Sequence, residues 1–124
     1  MASLQAVRSS NSLISSNLRP GLVAVFVGGT SGIGETTLKQ FAKQAVRPVW
    51  YIVGRSREAA EKTIAECKTF NPDGQYIFIK GDVSLMSGVD RVCEEIMNNE
   101  SVINLLFLTP TVPDFNRSGM FITV

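Results

Sequence analysis

The stretch AVFVGGTSGIGETTLKQFAKQ, residues 24–44, sets four glycines (Gly28, Gly29, Gly32 and Gly34) between an apolar run and an amphipathic one. Glycine loses the most backbone freedom on folding and is costly inside a regular element. So dense a cluster marks a place where bare backbone is required. Before it, residues 22–27 are continuously apolar, the pattern of a strand buried on both faces of a parallel sheet. After it, Ile33, Leu38, Phe41, Ala42 and Ala45 recur at helical spacing, and Pro48 stops that helix. A strand, a glycine turn and a helix N-terminus in succession make a cradle for anionic groups. Backbone N–H groups approach closely, and the helix dipole points at the charge. Thr30 and Ser31 add hydroxyl donors, so the cradle suits the pyrophosphate of a dinucleotide.

Working outward, the alternation continues. Residues 49–53 read as a second strand, ending at Gly54. Ser56 is placed to cap a helix over 57–69, with Ala60, Ile64 and Cys67 facing inward. Asn71-Pro72-Asp73-Gly74 is a turn by composition. Residues 75–80 form a third strand. Ser84 is placed to cap a third helix reaching about Asn98, with Val89, Val92, Cys93 and Ile96 on one stripe. Residues 102–108 form a fourth strand, and Pro110 and Pro113 argue against a helix after it. Toward the N-terminus, residues 3–15 read as a short helix with Leu4, Val7 and Ile14 on its apolar side, broken by Arg19-Pro20-Gly21. The serines and arginines of this leader, with no acid before Glu35, are also the composition of a mitochondrial transit peptide. The short helix is the reading adopted.

The order β-α-β-α-β-α-β predicts an α/β fold with a parallel sheet covered by helices. Right-handed crossovers put the first two of these helices on one face and the third on the other, with strand order 3-2-1-4. The ligand-binding switch point then lies at the C-terminal ends of strands one and four. The organisation expected is a helical leader over 1–20, a nucleotide-binding half-domain over 21–111 and an irregular tail over 112–124.

Composition narrows the classes. A chain of 124 residues suits one domain, and 44% hydrophobic with 19% charged residues is a globular balance. The net charge of +1 leaves no electrostatic footprint for nucleic acid and no basic membrane patch. The apolar runs fall far short of the ~20 residues that span a bilayer. The chain has no histidine, the commonest metal ligand and general base. Cys67 and Cys93 are too far apart for a CxxC motif and show no metal spacing, so they read as free thiols in a reducing compartment, the cytoplasm. The Asn-x-Ser triplets at Asn99 and Asn116 carry no weight without a secretory signal.

The run Val27-Gly28-Gly29-Thr30-Ser31-Gly32-Ile33-Gly34 differs in spacing from GxGxxG. It resembles the TGxxxGxG loop of the short-chain dehydrogenase/reductase family, with Val27 where that family usually has threonine. The resemblance covers about residues 20–110, and it is to a fungal branch often found in secondary-metabolite pathways. It implies a Rossmann-type sheet in which Gly28, Gly32 and Gly34 shape the loop while Thr30, Ser31 and Ile33 line a nicotinamide dinucleotide. The end of the second strand bears on which one. An acid there would hold the ribose 2′-hydroxyl of NAD. Gly54 stands in its place, followed by Arg55 and Ser56. A guanidinium suits a 2′-phosphate. An arginine near the positive end of a helix also favours a nearby anion, although a solvated Arg55 is the plainer alternative. NADP is thus favoured over NAD. Gly81-Asp82-Val83 resembles the family's Asp-Val pair at the adenine, and Asp82 serves equally well as a loop or cap acid.

The family transfers hydride with a tyrosine as proton donor, a lysine one helical turn later, a serine and an asparagine. The pattern Tyr-x-x-x-Lys occurs here as Tyr76 to Lys80. That segment is β-rich, and four residues of strand span ~13 Å at ~3.3 Å each. The chemistry needs the ~6 Å separation of i and i+4 on a helix. The pair also precedes Asp82, whereas the family's catalytic helix follows strand four. It reads as strand, and no catalytic residue and no metal ligand is assigned. At the end of strand four, Leu108-Thr109-Pro110-Thr111 stands where the family often has Asn-Asn-Ala-Gly. Beyond Thr111 the motifs carry no resemblance. The expectation is therefore the cofactor-binding half of such an enzyme followed by an unrelated tail, as a premature stop, a frame change or an unspliced intron would produce. A small-molecule substrate is expected only if a catalytic half exists, and self-association is expected along an exposed apolar strand four. The function expected by family is an NAD(P)-dependent oxidoreductase. The alternatives are an inactive remnant that at most binds NADP(H), or a nucleotide-binding regulatory module.

Overall fold

Val23–Val27 forms β1 with every residue buried, because this strand lies inside a parallel sheet and is paired on both edges. The computed structural model describes residues 1–30 and 32–109. After two leader helices, α1 (Leu4–Ser12) and α2 (Ile14–Asn17), the order is β1, α3 (Gly32–Gln44), β2 (Val49–Gly54), α4 (Arg57–Phe70), β3 (Gln75–Lys80), α5 (Met86–Asn99) and β4 (Leu105–Leu108). The sheet order is β3-β2-β1-β4 and all three pairings are parallel. This is the α/β Rossmann-type arrangement expected from the alternation. Ser31 and residues 110–124, including the tail expected over 112–124, lie outside the described residues.

Alternation along the strands builds two cores. Ala24, Phe26, Trp50, Ile52 and Tyr76 point to the side covered by α3 and α4, where they meet Leu38, Ala42, Ala45 and Cys67. Trp50 packs its ring against Phe26, Phe41 and Tyr76, with centroids 5.1, 5.4 and 5.9 Å away. On the other side Val23, Val25, Val27, Tyr51, Val53 and Ile79 meet Val92 and Ile96 of α5. The helices thus divide between the faces as right-handed crossovers require.

The helices α3 and α4 are tied to each other at two points. Lys39 Nζ sits 2.6 Å from Glu35 Oε1 on its own helix and 2.6 Å from Glu66 Oε2 on α4. At the far end Asn71 Nδ2 donates to the carbonyls of Ala42 (3.1 Å) and Ala45 (2.6 Å), which the end of α3 leaves without helical partners. The Asn71 N–H donates to Cys67 O, closing α4, and the Asn71 carbonyl accepts from Tyr76 Oη at 2.9 Å.

Four local expectations are corrected. The leader is two short helices, since Ser12 Oγ donates to Ser9 O and Ser16 Oγ to Leu13 O, side-chain bonds that compete with helical continuity. Leu4 and Val7 are exposed, and the leader reaches the body through Ser15 Oγ, which donates to Gln44 Oε1 at 2.9 Å. The fourth strand starts at Leu105, not at 102. Asn104 exchanges hydrogen bonds with Val23, its Oδ1 accepting from Val23 N–H at 2.9 Å and its N–H donating to Val23 O at 2.8 Å, while Val102 and Ile103 stay exposed. Ser84 does not cap α5, because its hydroxyl is bound to Asp82 and Leu85 occupies the cap position. Cys93 is exposed rather than on the buried stripe, whereas Cys67 is buried as expected. Burial pushes the Cys67 thiol up to about 11.

Candidate nucleotide-binding site

The carboxyl ends of β1, β2 and β3 are laced together where the glycine loop leaves the sheet. Gly28 N–H donates to Val53 O at 3.2 Å, and Gly81 N–H donates to Gly54 O at 3.0 Å. At the end of β4, Thr109 N–H donates to Val27 O at 2.8 Å. Gly28 has φ +90°, and a Cβ there would lie 2.7 Å from both the carbonyl and the hydroxyl oxygen of Thr109. A Cβ on Gly34 would run into the Gly28 carbonyl and lie 2.8 Å from Thr109 Oγ1. These two glycines therefore let the first turn of α3 close down on the end of β1.

Gly32, at φ +59°, is different: nothing lies within 4 Å of where its Cβ would be. Among the described residues this side of the loop is open, with the α3 N-terminus behind it, an arrangement that would accommodate a diphosphate. Ile33 on the same turn is 76% exposed, outside the core despite its place in the helical pattern. The residues present fit a dinucleotide. Ser31, expected among the lining residues, lies outside the described ones.

Gly54 ends β2 against Thr30, whose Cγ2 and Oγ1 would be 3.0 and 3.3 Å from a Cβ at position 54. Arg55 and Ser56 follow, both exposed. Ser56 caps α4 as expected, its Oγ accepting from Ala59 N–H at 3.2 Å. Arg57 lies over the Phe78 ring at 5.2 Å from its centroid. Asp82 Oδ1 accepts from Ser84 Oγ at 2.5 Å and from Ser84 N–H at 3.0 Å. These bonds, and then the nearby Arg55 charge, hold its carboxyl below the usual carboxylate range. Val83 is half-buried against the α5-side core. The structure thus gathers Gly28, Thr30, Gly32, Ile33 and Gly34 in one loop. It sets Arg55, Ser56, Asp82 and Val83 just past the ends of the neighbouring strands.

Tyr76 and Lys80 are both in β3, as the β-rich pattern indicates. Tyr76 is buried, and desolvation pushes its hydroxyl up to about 12, the wrong direction for a proton donor near neutrality. Two contacts were missed from the residues alone. Thr109 packing onto Gly28 and Gly34 joins positions about eighty apart in the chain, and Thr30 meeting Gly54 joins two loops. Neither leaves a periodic or spacing signal.

The family model for short chain dehydrogenases matches residues 22–121. The chain belongs to the short-chain dehydrogenase family. The matched span passes Thr111, where the resemblance carried by the motifs stops. An oxidoreductase of Emericella nidulans is 42% identical over 110 residues, covering 89% of this chain and 32% of that protein. The oxidoreductase andH of Emericella variicolor is 42% identical over 109 residues, covering 88% of this chain and 32% of its own. The chain thus spans about a third of the length of these curated relatives. Among solved short-chain dehydrogenase folds, the L-sorbose reductase of Gluconobacter frateurii, complexed with NADPH and L-sorbose, superposes with a TM-score of 0.66 at 22% identity. That match covers 82% of this chain and 38% of the other. Among the described residues no helix is long and apolar enough to cross a membrane, and no cluster of His, Cys, Asp and Glu is arranged to hold a metal ion.

Proposed function

We propose that this chain carries the cofactor-binding part of an NADP(H)-dependent oxidoreductase of short-chain type. The observation that carries the reading is the end of β2. Gly54 offers no carboxylate to a ribose 2′-hydroxyl, while Arg55 and the Ser56 hydroxyl stand beside it at the N-terminus of α4. In this reading the N–H groups of the loop around Gly32 and the N-terminus of α3 hold the diphosphate. Thr30, Ser31 and Ile33 flank it. Arg55 and Ser56 bind the 2′-phosphate, and Asp82 and Val83 border the adenine. The bound nicotinamide supplies the hydride of the redox reaction. Tyr51 and Tyr76, the tyrosines of the chain, both sit in strands, so neither is assigned as a proton donor. The fungal relatives, named as oxidoreductases, support an oxidoreductase, and the resemblance to fungal members extends this reading to secondary metabolism.

Titration of the chain with NADPH and NADH, followed by nicotinamide fluorescence, tests the reading. NADPH binds more tightly, and Arg55→Ala weakens NADPH by about tenfold or more while leaving NADH within about twofold, as expected for a charge-assisted hydrogen bond. Equal affinity for the two nucleotides, or indifference of NADPH to Arg55→Ala, overturns it. NADPH binding in a complete polypeptide that shows no turnover would favour a nucleotide-binding module instead.

A further inference from the structure

We propose that Thr30 is a specificity residue for the dinucleotide, because its side chain crowds the place that a Cβ at position 54 would take and so opposes an acid at the end of β2. This inference rests on the NADP(H) reading above and names a residue that enforces it.

The argument is steric. A Cβ at position 54 would meet Thr30 Cγ2 at 3.0 Å and Oγ1 at 3.3 Å, both inside ordinary contact distance, but Thr30 Cβ only at 3.8 Å. The two branches of the threonine, not its backbone, occupy the space. Threonine is branched at Cβ and has few χ1 settings, so it does not swing aside freely. Neither backbone is free to retreat. On one side Gly29 is pressed into the core: a Cβ there would lie 3.2 Å from Leu38 Cδ1 and from Phe26 Cβ. The neighbouring Gly28 N–H is bonded to Val53 O. On the other side Gly54 O accepts from Gly81 N–H at 3.0 Å and so holds β2 to the segment after β3. The loop and the strand end are held against each other, so a side chain at position 54 fits only where Thr30 gives way by a few tenths of an ångström. The choice between a ribose-binding acid at position 54 and an open path to Arg55 is therefore set partly at position 30, in the glycine loop.

Two linked measurements test this. The first is a thermal cycle of Gly54→Ala, Thr30→Ala and the double variant, which carries no charge and no ligand. Gly54→Ala lowers Tm by about 4–8 °C through overpacking, and Thr30→Ala restores most of the loss. If a melt is not cooperative, protease half-life gives the same comparison. The second measures NADPH and NADH binding to Gly54→Asp with and without Thr30→Ala. Gly54→Asp alone weakens NADPH about tenfold and leaves NADH within about twofold, whereas the double variant gains about tenfold for NADH. A Gly54→Ala variant as stable as the parent overturns the steric claim. A Gly54→Asp variant that gains NADH affinity as fully alone as with Thr30→Ala overturns the specificity claim. A parent chain that binds neither nucleotide defeats the NADP(H) reading and the specificity claim with it, while the thermal cycle still decides whether positions 30 and 54 compete for space.

Discussion

On one face of the sheet two helices close over Phe26, Trp50 and Tyr76. An ionic clasp at Lys39 and the amide of Asn71 then tie those helices to each other, and the Asn71 carbonyl ties them to Tyr76 of the next strand. On the other face, among the described residues, α5 alone covers β1, β2 and β3. It leaves Leu106 55% and Leu108 58% exposed on β4, with Met97 and Cys93 of α5 exposed as well. The same β4 strand shows both conditions, for Leu105 and Phe107 pack on the closed face while their neighbours do not. Stability is therefore concentrated on the face that positions the glycine loop through Leu38 and Phe26. Among the described residues the other face leaves Leu106 and Leu108 exposed.

The largest effect that tests this contrast is on the closed face. Phe26→Ala should cost about 3–5 kcal/mol in urea unfolding, since a fully buried ring is lost from between Trp50 and Phe107. A cost below about 1 kcal/mol would mean that the face is not close-packed. Next, Asn71→Ala should cost about 1–3 kcal/mol, because two buried carbonyls at the end of α3 lose their donor. Chemical denaturation again decides, and a neutral result would show that water serves those carbonyls equally well.

On the open face, Leu106→Lys with Leu108→Lys should change stability by no more than about 0.5 kcal/mol. The same pair should move the chain toward monomer in sedimentation velocity, as charge on an edge strand opposes pairing. A parent chain that is already monomeric at high concentration removes self-association through β4.

The smallest effect concerns the clasp, and its sign follows from its two partners. The hydrogen bond from Lys39 holds the Glu66 carboxyl below the ordinary glutamate value, so its contribution is present above that value and is lost as pH falls through the folded one. The bonds to Glu35 and then Glu66 raise Lys39, so its contribution is present below the ordinary lysine value and is lost as pH rises through the raised one. Lys39→Met should flatten both ends of the stability–pH profile. A profile unchanged at both ends would show that the clasp contributes nothing, as exposed ion pairs often do.

Legibility in the sequence followed the range of the forces. β1, α3, β2, α4 and β3 are readable because burial writes itself locally, as period-two or period-3.6 patterns and as punctuation by Gly54, Ser56 and Asn71. Residues 102–104 read as strand in the sequence because Val102 and Ile103 are apolar. Their conformation is decided instead by Asn104 bonding to Val23, a partner 81 residues away. Ser84 reads as a helix cap in the sequence, but its hydroxyl and N–H are taken by the turn at Asp82. The glycine loop is legible because glycine itself records a backbone constraint. What presses on that backbone is not, since Thr109 and the β2 end arrive from elsewhere in the chain.

The Asn71 amide has a consequence for the order in which the protein is made. The last turn of α3 is finished by a residue that leaves the ribosome 26 positions after Ala45. Until then the carbonyls of Ala42 and Ala45 face solvent and the helix end frays. α3 is thus completed from outside, late, by the turn that also ends α4 and begins β3. A nascent chain stalled with residues up to about 70 outside the exit tunnel should show rapid hydrogen exchange along the end of α3, and one with β3 also outside it should not.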